Sequence, residues 1–379
     1  MKRWRWWIIL LLFLGGCVPK TAKTPAVPTA ETGEMRGVWV TYTELDALLA
    51  DKTPADAQKA IDGLMRACAD AGLNTVFFHA RANADAYYAS GVFPPASGAR
   101  ALLKAGFDPL SCAVEAAHKR GLRLHAWINP YRVGKTDPGI KDTFSFEDGV
   151  WYAPHSAAAQ KRIVDGVREI VDKYAVDGVQ FDDYFYPVGA VPNDRPADFE
   201  KAAYAAYCKE RGDGALTVAD WRREGVSALL KQVYSACHRR AGCVFGVSPS
   251  HDADKNRKEM YADVAAWMNT PGMVDYVCPQ IYFGFDHETC PFHQTAARWL
   301  AMPRRDGVAL YAGLALYKAG QEDPYAGSGK EEWKTRSDII ARSIRWLRTR
   351  KGIGGFCLFS FGHLTRAAAE TAALKKVLR

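Results

Sequence analysis

The chain has 379 residues, of which 48% are hydrophobic and 24% are charged, the proportions of a folded globular protein rather than of a disordered one. Its 50 Lys and Arg residues outnumber its 42 Asp and Glu residues, for a formal net charge of +8 at pH 7, and the basic residues are scattered among acidic ones. Because no stripe of Lys and Arg is interleaved with aromatic residues, we expect no nucleic-acid partner.

The first residues of the chain have the pattern of an export signal. A basic start and an apolar core over 6–14 precede Leu14-Gly15-Gly16-Cys17, which resembles a bacterial lipobox. This pattern predicts a lipoprotein signal peptide over 1–16 and lipid on Cys17; the alternative is an ordinary signal peptide with a chance cysteine. Because the apolar core is short for a membrane span, we expect a protein anchored to the membrane through lipid on Cys17.

Residues 17–33 contain several Pro, Thr and Ala residues and no apolar periodicity. This composition is typical of a flexible, extended tether. Val18, directly after the lipidation site, gives no aspartate-type retention signal. We therefore expect the protein in the cell envelope and, in a bacterium with two membranes, on the periplasmic face of the outer membrane.

From residue 34 onward, short apolar or β-branched runs alternate with longer stretches of helical periodicity. The predicted strands are 37–41, 75–79, 123–128, 178–181, 244–247, 274–278, 308–312 and 355–359. The predicted helices are 55–71, 109–120, 157–174, 197–211, 253–267, 292–301, 333–350 and 364–378. Eight strand–helix pairs predict an α/β fold, a single (β/α)8 barrel over 34–379. A doubly wound open sheet is the competitor, but the first strand–helix turn has no Gly-rich dinucleotide fingerprint.

The cysteines and acidic clusters give no indication of a metal centre. The eight cysteines after Cys17 form no CxxC pair and mostly lie in apolar surroundings, so we interpret them as buried thiols, although export would permit one or two disulfides. Asp252-Ala-Asp254-Lys-Asn256 matches the start of a calcium loop, but Arg257 stands where the loop needs glycine. We expect neither a metal ion nor another cofactor.

The fourth predicted strand, Gly178–Phe181, ends in two adjacent carboxylates, Asp182 and Asp183, followed by aromatic residues. Adjacent carboxylates repel each other, which raises the free energy of ionising both. Glycoside cleavage needs such groups, because one carboxyl protonates the leaving oxygen while another group stabilises charge at the sugar carbon. The pair therefore predicts a sugar-cleaving site; the alternative is that Asp182 caps the turn and Asp183 is solvated.

Chemistry in such barrels takes place at the C-terminal ends of the strands, and here those ends are polar and aromatic. This combination suits a polysaccharide, since rings stack on sugar faces while amides and Arg bind hydroxyls and carboxylates. We interpret His125, Trp39 and Trp127, which lie inside strands, as core residues. The predicted substrate-binding residues are Arg81, Asn129, Tyr131, Tyr184, His251, Gln280 and Tyr282.

Several segments together resemble one known family. They are RGVWVT at 36–41, NTVFFHAR at 74–81, FDPL at 107–110, HAWINPY at 125–131, VDGVQFDDYFYP at 176–187 and PQIY at 279–282. In this order they resemble the glycosyl-hydrolase-like "family ten" lipoproteins of bacterial envelopes, over residues 35–364. The resemblance implies a TIM-barrel glycosidase and, from at least one characterised relative, cleavage of peptidoglycan glycan strands stripped of their peptides.

The sugars of such a substrate carry a 2-acetamido group, whose oxygen can attack the anomeric carbon in place of an enzyme nucleophile. By analogy with barrel hexosaminidases that have two consecutive acids after strand four, Asp182 would polarise the acetamido N–H and Asp183 would protonate the leaving oxygen. Tyr282 would donate to the acetamido oxygen. Because neighbouring strand residues point to opposite faces, both acids enter one site only if the chain bends; otherwise Glu44 or Asp286 becomes the partner.

Two other functions remain open at the level of sequence. The first is a non-catalytic glycan-binding lipoprotein that links the membrane to the wall, which would not need a proton donor. The second is a glycosidase that acts on another bacterial exopolysaccharide.

Overall fold

The computed structural model describes residues 33–135, 139–147 and 149–379. The predicted signal peptide, the lipidation site Cys17 and all of the tether except residue 33 lie outside the described residues.

Nine strand segments pair in parallel in one sheet, in the order β10-β9-β8-β7-β3-β2-β1-β12-β11. Three further short strands form a separate antiparallel sheet in the order β4-β6-β5. In chain order the strands are β1 (Met35–Val40), β2 (Thr75–Arg81), β3 (Arg123–Ile128), β4 (Arg132–Gly134), β5 (Thr143–Phe146), β6 (Gly149–Tyr152), β7 (Gly178–Phe181), β8 (Val244–Val247), β9 (Tyr276–Val277), β10 (Ala309–Leu310), β11 (Ala312–Leu314) and β12 (Gly355–Phe359).

The two segments at the ends of the sheet, β10 and β11, are separated only by Tyr311 and occupy one strand position. On one side β10 pairs with β9, and on the other side β11 pairs with β12, so the sheet curls into a barrel of eight strand positions. Each predicted strand coincides with one of these positions. The predicted (β/α)8 barrel is confirmed.

The interior of the barrel is filled by large rings opposite small residues. Trp39, Phe77, Trp127 and Tyr276 belong to this inner cluster. A Cβ atom on Gly246 would lie 2.1 Å from the ring of Tyr276, so the glycine in β8 leaves the space that this ring occupies. Alternate strand residues face outward and pack against the helices, which is the two-layer arrangement that parallel barrels require.

The helices surround the barrel and begin at side-chain caps in several places, as where Thr53 precedes Pro54 and Ser156 precedes Ala157. They are α1 (Tyr42–Leu49), α2 (Pro54–Asp70), α3 (Arg100–Lys104), α4 (Pro109–His118), α5 (Ala157–Lys173), α6 (Lys201–Arg211), α7 (Val218–Cys237), α8 (Ala253–Glu259), α9 (Val264–Asn269), α10 (Phe292–Ala301), α11 (Glu332–Thr335), α12 (Ile339–Arg348), α13 (His363–Arg366) and α14 (Ala368–Leu378).

Three helices and one small sheet were not predicted from the sequence. They are α1, α3, α7 and the sheet of β4, β5 and β6, which lies between β3 and α5 in the chain. The predicted helix over 253–267 consists of the two short helices α8 and α9, and the one over 333–350 consists of α11 and α12. Short 3-10 turns at 198–200, 212–214, 316–318 and 327–329 complete the described elements.

Eight cysteines lie in the described residues, all as free thiols, and five of them are buried, in agreement with the interpretation of packed thiols. Among the residues that the structure describes, no helix combines the length and apolar character needed to cross a bilayer. Over the same ranges, no group of three or more His, Cys, Asp or Glu side chains is arranged to hold a metal ion.

Candidate active site

A cavity of about 1020 Å³ opens at the C-terminal ends of the barrel strands. Residues that follow β1, β3, β7, β8, β9 and β12, together with His79 in β2, contribute to its walls, which combine aromatic rings, carboxyl groups and amides. This volume lies at the upper end of typical ligand pockets, so the cavity has room for more than one sugar ring.

Asp182 is the first residue after β7 and continues the inward-facing row of that strand. Two residues earlier, Gln180 accepts a hydrogen bond from the indole of Trp39 inside the barrel. The Asp182 carboxyl is 3% exposed. Its Oδ2 accepts from Trp127 Nε1 at 2.9 Å, and its Oδ1 accepts from the Tyr184 backbone N–H at 3.2 Å. Asp182 is therefore held at the floor of the cavity with a donor on each oxygen.

Asp183 reaches the same cavity because the chain bends directly after β7. Phe185 N–H donates to the Asp183 carbonyl at 2.9 Å, which closes a tight turn around the acid. Gln280 Nε2 donates to Asp183 Oδ1 at 3.0 Å and to the Ser248 carbonyl at 3.1 Å. The bend that the sequence left open is thus present, and both carboxyl groups line one cavity.

The two alternative partner acids are placed differently. Glu44 lines the cavity, but its Oε2 accepts from Thr41 N–H at 2.8 Å and its Oε1 accepts from Ser360 Oγ and Gly362 N–H, both at 2.6 Å. Its carboxylate thus caps α1 and fixes the loop after β12. Asp286 does not line the cavity.

Burial is the main influence on the acid pair. It raises the pKa of Asp182 well above its ordinary value, and the neighbouring Asp183 raises it further, while the hydrogen bond from Trp127 opposes the shift. Burial also raises the pKa of Asp183, against the hydrogen bond from Gln280. Consequently the pair retains a proton at pH values where two exposed aspartates would both be ionised, which is the state that a general acid needs.

A chain of hydrogen bonds supports the indole that contacts Asp182. The ring of His79 stacks on Trp127 with centroids 3.6 Å apart. His79 Nδ1 accepts from Tyr42 N–H at 3.2 Å, so Nε2 carries the proton and donates to Asn129 Oδ1 at 3.0 Å. Burial lowers the pKa of His79 to about 3, which keeps the ring neutral. Trp127, interpreted from sequence only as a packing residue, is also the hydrogen-bond donor to an acid.

An aromatic wall flanks the acids on the side of the small antiparallel sheet. Tyr184 is 39% exposed, and its ring stacks on Trp151 with centroids 5.7 Å apart. The guanidinium of Arg132 lies over the rings of Tyr184 and Tyr42, at 5.6 and 5.8 Å from their centroids. Exposed ring faces of this kind are the usual platform for a sugar.

On another side, Tyr282 lines the cavity with its ring 5.6 Å from Phe359. Burial raises the pKa of Tyr282 well above its ordinary value, so the phenol keeps its proton and can donate a hydrogen bond. With Asp182, Asp183, Asn129, Tyr184 and Gln280, this makes six predicted site residues that the structure brings to one cavity.

Arg81 was predicted to contact the substrate, but the structure places its side chain away from the cavity. Strand β2 contains an irregularity, because His79 pairs with Trp127 whereas Arg81 pairs with the next residue, Ile128. The extra residue moves Arg81 out of the inward row and into the outer layer, beside Ile128. The side chain is 1% exposed and does not line the cavity.

Tyr131 and His251 also lie away from the cavity, contrary to their predicted role. Tyr131 is 0% exposed and packs in the outer core with its ring 6.5 Å from Phe185. The half-buried ring of His251 meets the edge of Phe283 at 4.7 Å. A position near a strand end in the sequence does not by itself direct a side chain inward once the regular alternation has ended.

Replacing Arg81 with alanine is expected to destabilise the fold rather than to weaken substrate binding. Arg81 donates to the Asn129 and Pro130 carbonyls, both at 3.0 Å, and lies 4.6 Å from the ring centroid of Phe93. Removing a buried charged donor should lower the free energy of unfolding by about 2–4 kcal/mol. Denaturant unfolding measures this loss, with exposed Arg100→Ala as the control. If the Arg81→Ala protein is as stable as the wild type and has a raised KM, Arg81 binds the substrate.

Comparisons with known proteins agree with the fold. The model of the family described as "Glycosyl hydrolase-like 10" matches residues 34–327. The chain is 32% identical to "Glycosyl hydrolase DigH" of Escherichia coli K12 over 374 residues, which cover 85% of this chain and 83% of that protein. It is 29% identical to "Glycosyl hydrolase YngK" of Bacillus subtilis over 337 residues, 79% of this chain and 64% of that protein.

Among solved structures, the chain is similar to the PgaB (BpsB) glycoside hydrolase domain from Bordetella bronchiseptica. The TM-score is 0.60 at 15% identity, with 91% of this chain and 99% of that chain covered. A family 18 N-acetylglucosaminidase from Paenibacillus barengoltzii gives a TM-score of 0.50 at 12% identity, with 91% and 100% covered. At these identities the likeness establishes the barrel fold.

Proposed function

This chain belongs to the glycosyl hydrolase-like 10 family of glycosidases, and we propose that its substrate is a glycan containing N-acetylhexosamine, specifically peptidoglycan strands freed of their peptides. The observation that carries the proposal is the pair Asp182 and Asp183, a buried and a half-buried carboxyl with raised pKa values in one cavity. A protein that only bound a glycan would gain nothing from this arrangement, which costs folding free energy.

The two acids differ in ways that support distinct roles. Asp182 is buried, and each of its oxygens accepts a hydrogen bond, which fixes it as an orienting group. Asp183 is half-buried, and among the described side chains only Gln280 donates to it, so its carboxyl is more accessible to a leaving oxygen. We therefore assign the proton donor to Asp183 and the contact with the acetamido N–H to Asp182.

In this scheme the substrate supplies its own nucleophile. The acetamido oxygen attacks the anomeric carbon as the bond to the leaving oxygen breaks, and the Asp183 proton passes to that oxygen. Asp182 accepts from the acetamido N–H, and the Tyr282 phenol donates to the acetamido oxygen to hold it for attack. Water then attacks the anomeric carbon of the oxazolinium intermediate as the bond from that carbon to the acetamido oxygen breaks. The attacking water gives a proton to the Asp183 carboxylate, which restores the acid, and the anomeric configuration is retained.

Purified protein incubated with chemically matched glycan strands tests the proposal. Peptide-free strands should be cut into shorter oligosaccharides that mass spectrometry identifies, whereas peptide-bearing strands and unrelated exopolysaccharides should stay intact. If wild-type and Asp183→Asn proteins bind peptide-free strands equally and neither cuts them, the protein is a glycan-binding lipoprotein instead. If an exopolysaccharide is the only glycan that is cleaved, the substrate is that exopolysaccharide and not peptidoglycan.

We also propose that the protein is anchored to the membrane by lipid on Cys17, since Leu14-Gly15-Gly16-Cys17 precedes a polar, proline-rich segment. Cys17→Ser is expected to move the protein into the soluble fraction, as measured by fractionation and by the mass of the mature N-terminus. Cys290→Ser, which changes a half-buried thiol in the barrel domain, serves as the control. A Cys17→Ser protein that stays in the membrane fraction would contradict the anchor.

A further inference from the structure

We propose that Arg132 binds a carboxylate substituent of the sugar chain beside the cleaved bond, so that an acidic glycan is the preferred substrate. The proposal rests on the proposed function, because it assigns a recognition role within the same cavity. The carboxylate could be the lactyl group of N-acetylmuramic acid or the ring carboxylate of a uronic acid, and both present the same planar anion to a guanidinium.

Arg132 is held in place by two aromatic rings and by the pairing of its backbone. Its guanidinium lies between the rings of Tyr42 and Tyr184, and its backbone pairs with Trp151 through β4 and β6. Within the ranges 33–135, 139–147 and 149–379, no carboxylate forms an ion pair with it, and no hydrogen bond from its side chain is found. Aromatic faces stabilise the cation without using its five N–H donors.

The two arginines that are buried among the described residues, Arg81 and Arg222, are satisfied internally. Arg222 is buried and forms an ion pair with Glu200, to which it donates from both Nε and Nη2. Arg81 donates to main-chain carbonyls under the cavity floor. A half-buried guanidinium in the cavity wall whose donors remain unused has the geometry of a ligand contact, since a carboxylate would take two of those donors at once.

The position of Arg132 places that contact close to the reacting bond. The ring on which it rests belongs to Tyr184, the residue after Asp183, and the Tyr184 N–H itself donates to Asp182. A sugar that presents its acetamido group to Asp182 therefore has its neighbouring substituent near Arg132. In muramic acid the lactyl ether is attached to the carbon adjacent to the one that carries the acetamido group.

This assignment gives a chemical reason for a preference for peptide-free strands. In a peptide-bearing strand the lactyl carboxyl is an amide and carries no charge, whereas removal of the peptide leaves a free carboxylate. Arg132 would distinguish the two forms by charge, in addition to any exclusion of the peptide by size.

A second arginine in the cavity wall provides a matched control. Arg366 at the end of α13 also lines the cavity, but it is exposed and no aromatic ring in the described residues holds its guanidinium. If the carboxylate were bound by general positive charge, Arg366→Gln would have the same effect as Arg132→Gln. The proposal predicts that it does not.

The decisive measurement is binding in an Asp183→Asn background, where substrate is not turned over. Calorimetry would use peptide-free muramyl oligosaccharides, the same compounds with each lactyl carboxyl converted to a methylamide, and an alternating N-acetylglucosamine–glucuronate oligosaccharide. We expect Arg132→Gln to weaken binding of the free carboxylate about ten- to a hundredfold and to leave binding of the methylamide nearly unchanged. Arg132→Lys should recover part of the affinity, because it restores the charge without the planar fork.

The three ligands distinguish the two possible sources of the carboxylate. They also separate a failure of this proposal from a failure of the proposed hydrolysis. Tight, Arg132-dependent binding of the glucuronate compound but not of the muramyl compound assigns the contact to a uronate. Equal losses for carboxylate and methylamide, or a larger loss in Arg366→Gln, would overturn the proposal. If the wild-type protein cleaves none of these glycans, the proposed hydrolysis fails, yet carboxylate-selective binding through Arg132 is still confirmed or refuted by the calorimetry.

Discussion

Asp183→Ala is expected to lower kcat/KM on glycans with ordinary sugar leaving groups by about 10²–10⁴-fold, the range that general acid catalysis contributes. A sugar alkoxide is a poor leaving group and must be protonated as its bond breaks. The half-buried Asp183 has a raised pKa and is held by Gln280, so it is the carboxyl suited to supply the proton. Loss of the proton donor should leave a synthetic aryl glycoside, whose leaving group needs no proton, partly active.

The comparison of the two substrates makes this result specific to acid catalysis, because a misfolded variant would lose both activities together. Glu44→Gln is the matched control, since Glu44 lines the same cavity but uses its oxygens to cap α1 and to hold the loop after β12. It should lower the melting temperature without making activity depend on the leaving group. If Glu44→Gln shows that dependence and Asp183→Ala does not, the roles of the two acids are reversed.

The barrel could be predicted because its strands are buried on both faces and read as short apolar runs at regular intervals. Helix α7 could not be predicted in the same way. Arg222 stands in its otherwise apolar stripe, and its burial depends on Glu200, a partner 22 residues earlier in the chain. The small sheet of β4, β5 and β6 was missed because most of its residues are only half-buried, so its strands lack the apolar runs that mark the strands of the barrel.

The acid pair could be predicted from residue types alone, whereas predicting the recognition residues requires the course of the backbone. Alternation along β2 would place Arg81 on the same face as His79, and a single irregularity in the pairing with β3 sends it outward. Arg132, which follows the buried Tyr131, lines the cavity instead, and its residue type alone does not distinguish it from Arg81. Contacts across the cavity, such as Gln280 with Asp183, join residues 97 positions apart.

Asp182→Ala is expected to reduce activity on both substrates, by about 10²–10³-fold, because it removes help to the internal nucleophile rather than to the leaving group. The difference from Asp183→Ala, which spares the aryl glycoside, therefore separates the two roles within one set of rate measurements. A thiazoline analogue of the oxazolinium intermediate should bind the wild-type protein tightly and Asp182→Ala weakly. An inverted product, seen by proton NMR, would contradict the use of the acetamido group as nucleophile.

The raised pKa of Asp182 predicts that the stability of the protein depends on pH. Burial and Asp183 raise the pKa of Asp182 in the folded state above its unfolded value of about 3.9, so the folded protein binds the proton more tightly. The stability that this provides is fully present below pH ~4 and is lost as the pH rises through the folded pKa. Asp182→Asn carries no such charge, so its melting temperature relative to the wild type should rise between pH 4 and pH 8, by several degrees. A constant difference across this range would mean that Asp182 is ionised in the folded protein as readily as in the unfolded chain, and would contradict the raised pKa of this carboxyl.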